Sequence, residues 1–163
     1  MARRILSLLF FAAIFNGFGQ EINAGINIGF IPNQNTFYPS CGLNLEFKPK
    51  NSIFSINTDP FILLNNKKLV FSEPVYFKFI FGNKLRICPS IGGFYRTNKS
   101  YGWLLGLNLE YVLKNSFILF SKNECYKDYR KDFWPDHFGG SAIYINQSYS
   151  LLFSLGLKLM IKN

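Results

Sequence analysis

The sequence of 163 residues holds one histidine, three cysteines and two methionines, and only 17% of its residues are charged. A lone His137 excludes multi-histidine metal centres, and no Cys-x-x-Cys occurs for zinc or dithiol chemistry. Three cysteines are too few for a disulfide-built miniature fold. So little charge beside so many aromatics excludes a disordered tail, and the length allows about one domain. Beyond the N-terminal segment, no apolar run approaches the roughly 20 residues of a membrane-spanning helix. Any membrane contact of the remaining chain must be made by strands. Hydrophobic residues are abundant at 48%, with 18% aromatic and 19 phenylalanines. Eighteen basic residues against nine acidic give a formal charge of +9.

Met1-Ala2-Arg3-Arg4 is a basic start, Ile5–Phe15 an apolar run, and Asn16-Gly17-Phe18-Gly19 a small and polar exit. This is the layout of a secretory signal peptide. Gly17 and Gly19 supply the small residues before a cut ahead of Gln20, so residues 1–19 are expected to be removed and 20–163 to form the mature domain. Loss of Arg3 and Arg4 lowers the formal charge from +9 to +7.

From Glu21 the apolar positions alternate. Ile22, Ala24, Ile26, Ile28 and Phe30 share one face, with Asn23 and Asn27 on the other. Cys41, Leu43, Leu45 and Phe47 stand against Asn44 and Glu46. The odd positions from Tyr101 to Leu113 are apolar, opposite Gly102, Gly106, Asn108 and Glu110, and the odd positions from Tyr149 to Ile161 repeat the pattern. A period of two over such lengths predicts strands with one wet and one dry face. Segments 52–62, 70–81 and 84–95 are weaker versions. In 116–124 the run Phe117-Ile118-Leu119-Phe120 leaves the facing undecided. The total is eight strands.

Short connections at 48–51, 82–83 and 114–115 alternate with longer ones at 31–39, 63–69, 96–100 and 125–148. That asymmetry predicts an eight-stranded antiparallel up-and-down barrel of the transmembrane kind. The bulky residues then face lipid, because an eight-stranded bore is only wide enough to be filled by side chains. Glu46, Lys78, Arg86, Glu110 and Lys158 are placed inside, with Asn23, Asn27, Asn44 and Asn108, as an ion-paired plug without a solute path. Tyr38, Tyr95, Tyr101, Trp103 and Tyr111 suit interfacial girdles. The alternative is a secreted lipocalin-like carrier with its apolar faces turned inward.

Segment 125–148 is read as a hydrated surface loop, or as a protruding hairpin turning near Trp134–Gly140. Phe133 and Trp134 form a candidate contact patch for a protein partner. Lys67, Lys68, Arg96, Lys99, Lys127, Arg130 and Lys131 are assigned to outer loops, where they would meet lipopolysaccharide phosphates. Nucleic acid is not expected to meet an exported barrel, and a monomer is expected. His137 with Asp136 and Ser141 could suggest an acyl-transfer site, but it lies in a loop. No catalytic residue, cofactor or metal is assigned. Cys41, Cys88 and Cys125 are expected to be free, mostly buried thiols.

With this strand ladder and connectivity, residues 20–163 resemble the small eight-stranded outer-membrane barrels of the OmpA/OmpX type. The sequence departs from them in ending Leu159-Met160-Ile161-Lys162-Asn163, where an aromatic residue is usual. The resemblance implies a location in the outer membrane and a role in envelope integrity, adhesion or surface binding, without catalysis. The alternative function is a lipid A-modifying enzyme, since some barrels of this size deacylate or acylate that lipid.

Overall fold

The computed structural model describes residues 20–33, 36–65, 68–114, 116–135 and 141–162. The expected signal peptide, Lys67, His137 and the Gly139-Gly140 pair lie outside these. The strands are β1 (Gln20–Asn33), β2 (Thr36–Pro49), β3 (Phe54–Thr58), β4 (Phe61–Asn65), β5 (Lys68–Phe79), β6 (Leu85–Arg96), β7 (Ser100–Lys114), β8 (Phe117–Pro135) and β9 (Ser141–Lys162). β3 and β4 are two halves of one barrel strand. Both lie between β2 and β5 in a single continuous register, and Pro60, which has no N–H to donate, interrupts the ladder between them. Its carbonyl still accepts from Leu43 N at 2.9 Å.

Each strand pairs antiparallel with its sequence neighbours, and β1 pairs with β9 from Glu21↔Lys162 to Phe30↔Phe153. The sheet is therefore closed, an all-β barrel of eight strands. Its stagger can be read from the register. Starting at Lys127 and stepping through Trp103, Gly93, Val75, Thr58, Leu45, Ala24 and Leu159, the path returns to the starting strand at Phe117, ten residues lower. A stagger of that size tilts the strands by roughly 40°. Ten residues along a strand so tilted rise about 25 Å, the height of the apolar band of an outer-membrane barrel.

The facing is the one the bulky residues demand. Leu105, Leu107, Leu155 and Leu157 are 46%, 48%, 62% and 41% exposed on the outer wall. Asn23, Asn44, Glu46, Lys78, Asn108, Glu110 and Lys158 are buried in the lumen. An apolar-lined carrier cavity is thus ruled out by geometry. Tyr95, Tyr101, Trp103 and Tyr149 ring the outer end, and Tyr111, Phe54, Phe81 and Phe117 ring the inner end.

Several expectations are corrected. The strands run on into the segments assigned to long loops, so β1 and β2 reach Asn33 and Thr36, and the β6–β7 connection is Thr97–Lys99 alone. Segment 125–148 is mostly strand rather than loop: β8 and β9 stay paired to Pro135↔Ser141. Lys68, Arg96, Lys127, Arg130 and Lys131 consequently sit on strands, and Arg96 points into the lumen, where it is buried. Tyr38 also lines the lumen at its outer mouth instead of joining a girdle. In β8, Ile118, Phe120, Lys122, Glu124 and Tyr126 face inward and Phe117, Leu119 and Asn123 outward. All three cysteines are free, but only Cys88 is buried, while Cys41 is exposed on the lipid face.

Two glycines do specific work. Gly82 holds φ +99° in the β5–β6 turn, a region costly for residues with a Cβ. Gly156 faces inward, where a Cβ would collide with the Phe120 ring. Gly156→Val is expected to reduce the fraction that migrates as the folded, heat-modifiable band on unboiled gels, whereas Gly93→Ala, which would meet only a carbonyl oxygen at 3.4 Å, leaves it unchanged.

Candidate functional site in the barrel lumen

Inward side chains pack the bore in layers. The most regular is a quartet of ions built from four strands, one step above the Lys48–Glu21 pair at the lower end. Lys78 Nζ lies 2.6 Å from Glu46 Oε2 and 2.6 Å from Glu110 Oε1. Lys158 Nζ lies 2.7 Å and 2.6 Å from the same two oxygens. Two ammoniums and two carboxylates thus close an alternating ring, with the Phe120 ring centroid 5.1 Å from Lys158 Nζ. Arg86 stands at the edge, its Nη1 3.9 Å from Glu110 Oε2 and its side chain partly exposed. The five residues singled out from the sequence therefore share one cluster, four at its centre and Arg86 at its rim.

Above the quartet is a second ionic group. Asp59, at the Pro60 interruption, accepts hydrogen bonds from Asn44 Nδ2 and Tyr76 OH and pairs with Lys122. Glu124 accepts from Tyr126 OH at 2.8 Å. Sequence reasoning missed Asp59, Lys122 and Glu124. The usable signal was the alternation of Ile118, Phe120, Lys122 and Glu124, obscured by four consecutive apolar residues.

The next layer is apolar. Ile31, Phe61, Leu63, Phe94, Leu104, Tyr126 and Leu152 form one buried cluster across the bore, with Phe94 and Tyr126 rings 4.9 Å apart, edge to face. The lumen is accordingly mixed, not polar throughout. On this disc sits Arg96, whose Nη1 donates to Asp128 Oδ1 at 2.6 Å and whose guanidinium carbon lies 4.7 Å and 5.1 Å from the Phe94 and Tyr126 ring centroids. Ser100 and Ser150 hydroxyls donate to the Asp128 carboxylate, each at 3.2 Å. A cavity of about 320 Å³, lined by Tyr38, Asn98, Arg96 and Asp128 among others, opens above.

Among the described residues, the inward cations Lys48, Lys78, Arg86, Arg96, Lys122 and Lys158 share the bore with the carboxylates Glu21, Glu46, Asp59, Glu110, Glu124 and Asp128, and Arg130 adds a cation at the outer mouth. Burying ions is expensive and only pairing offsets it. Two ionic layers and an apolar disc fill the bore beneath the cavity at its outer mouth. Among the described residues no group of three or more His, Cys, Asp or Glu is arranged to hold a metal. Phe133 and Trp134 lie on the backbone of β8, opposite Ile143 and Ala142; their side chains are outside the described part.

No family model matches this sequence, and no curated protein does. Solved structures do. The N-terminal β-barrel domain of Pseudomonas aeruginosa OprF superposes with a TM-score of 0.59 at 10% identity, covering 85% of this chain and 97% of that one. Outer membrane protein W of E. coli gives 0.58 at 11% identity, covering 88% and 98%. Ail, the attachment invasion locus protein of Yersinia pestis, gives 0.52 at 11% identity, covering 88% and 99%. The chain has the fold of the small outer-membrane β-barrels.

Removing one member of a buried ion cluster leaves an uncompensated charge, which costs about 3–5 kcal/mol. Lys158→Met is expected to lower the unfolding free energy in lipid vesicles by that order, measured by urea titration. Adding Glu46→Leu should restore part of the loss, and Arg86→Leu, at the partly exposed rim and 3.9 Å from its partner, should change it by less than about 1 kcal/mol.

Proposed function

We propose that this chain is a non-enzymatic protein of the bacterial outer membrane, exported by a cleaved signal peptide at residues 1–19. Its sealed barrel is a rigid mount for a surface-binding hairpin. The observation that carries the reading is the projection of β8 and β9. β7 pairs with β8 only as far as Arg130, and β1 pairs with β9 only from Phe153 onward. Above those points the two strands continue, paired with each other alone, to Pro135 and Ser141. Among the described residues, the backbone of 141–152 therefore presents a strand edge that pairs with no second strand, the feature through which an extended segment of another protein is added to a sheet. Phe133 and Trp134 lie on the companion strand of that hairpin, and the partner is read as a protein at the cell surface. Outer-membrane lipids and lipopolysaccharide are the surrounding contacts.

Shortening the hairpin by deleting residues 132–145 should preserve the heat-modifiable band and the envelope location while lowering adhesion of expressing cells to a protein-coated surface by about tenfold. Unchanged adhesion would remove the hairpin from the function. In planar bilayers the intact protein should show no steady conductance. His137→Ala should leave lipid A acylation unaltered, as read by mass spectrometry of extracted lipid; an altered pattern would make the protein an enzyme.

A further inference from the structure

The lipid-facing side of β8 is unlike that of its neighbours. Going up the strand it carries Leu119, Ser121, Asn123, Cys125 and Lys127. Opposite the last four of these, β7 places Leu109, Leu107, Leu105 and Trp103, and β9 places Leu155, Phe153, Leu151 and Tyr149. A polar strip thus runs through the upper half of the apolar band. Asn123 is exposed, and its side chain's only hydrogen bond among the described residues is from Nδ2 to Leu107 O at 3.3 Å. That leaves its amide oxygen as an acceptor turned to hydrocarbon, where an unmet polar group is costly. At the level of the outer girdle, Lys127 Nζ lies 6.0, 5.4 and 5.3 Å from the ring centroids of Trp103, Tyr129 and Tyr149. Beside Asn123 a groove of about 600 Å³ is walled by Ile28, Phe30, Phe153 and Leu155, with Ser121 and Asn123 along one side.

We infer that this strip binds one outer-leaflet lipid, with a phosphate on Lys127 and an acyl chain following β8 down into the groove. The chain is one that carries an amide N–H or a hydroxyl, which donates to Asn123 Oδ1. Lys127 and Asn123 are four residues apart on one strand, about 13 Å, so a headgroup at the girdle and a donor within the acyl region reach both. The ammonium complements the phosphate, and the groove takes the remaining methylenes. A second copy of the protein fits less well. Two barrels standing side by side in one membrane, each with strands tilted roughly 40°, cross their facing strands at roughly 80°. Copies of β8 would then meet at one residue and leave the rest of the strip unmatched, whereas a flexible chain can follow it. The inference rests on the outer-membrane reading.

The test is native mass spectrometry and Trp103 fluorescence of the full barrel in zwitterionic detergent. The probes are diphosphoryl lipid A, whose chains are amide-linked and hydroxylated, and phosphatidylglycerol, which is ester-linked. Lipid A should be retained about tenfold more tightly than phosphatidylglycerol. Lys127→Gln should weaken both. Asn123→Leu should weaken lipid A by about tenfold and leave phosphatidylglycerol as it was. Both variants make the lipid face no more polar, so they keep the heat-modifiable band that reports the folded barrel. Equal retention of the two lipids, or an Asn123→Leu variant that binds lipid A as the parent does, overturns the site. So does a short bismaleimide joining Cys125 of two copies while no lipid is retained, which would give the strip to a second barrel. In each of these cases a retained folded band leaves the outer-membrane reading standing.

Discussion

A strand surrounded by hydrocarbon can place its N–H and C=O groups only on neighbouring strands, and this chain meets that demand by joining β1 to β9 along Glu21–Phe30. Closure with a stagger of ten residues fixes the bore, and the bore fixes what the inward positions can be. It holds large side chains such as Tyr76 and Phe120 where a neighbouring strand gives way. Gly92 and Gly156 do so, because a Cβ at either would strike Tyr76 or Phe120. The inward glycines and the buried aromatics are therefore two sides of one packing solution.

Confinement also explains the ions. Water in such a bore is scarce, so a lysine there needs carboxylates within hydrogen-bond reach. Lys78 and Lys158 each find two, and they find the same two. The four residues come from strands that are distant in sequence, so the ring assembles only when the barrel closes. It stabilises closure more than it stabilises any one hairpin. Lys122 and Asp59 repeat the arrangement one layer up, using the gap in the ladder that Pro60 leaves.

Much of this was legible because a barrel wall imposes a period of two on both faces at once. Leu105, Leu107, Leu155 and Leu157 could be assigned to lipid from size alone, and Glu46 and Glu110 to the lumen from charge alone. The parts that were not legible share a cause. In β8 the lower inward positions Ile118 and Phe120 are apolar, and the upper outward positions Ser121, Asn123 and Lys127 are polar, so the hydropathy rule inverts along one strand. Arg96 reads as a loop residue because its strand continues past the band, and local composition carries no mark of where a membrane ends. Neither signal could show that Arg96 turns back onto Phe94 and Tyr126, which are brought together by the ladder.

The inversion in β8 and the ions of the lumen bear on each other. Buried cations in the bore stand beside carboxylates, while among the described residues Lys50, Lys84, Lys99 and Lys127 lie outside it. Lys84 stands over the Tyr111 ring at 5.5 Å, as Lys127 does over its three rings. Aromatic faces at the two ends thus carry cations where a bilayer presents phosphate. A polar residue deeper in the wall has no such excuse. Asn123 would be selected against in a barrel that met only alkyl chains, since leucine fits the same position and needs no partner. Its presence between Leu107 and Phe153 is therefore better accounted for by something that arrives with a donor than by the fold itself.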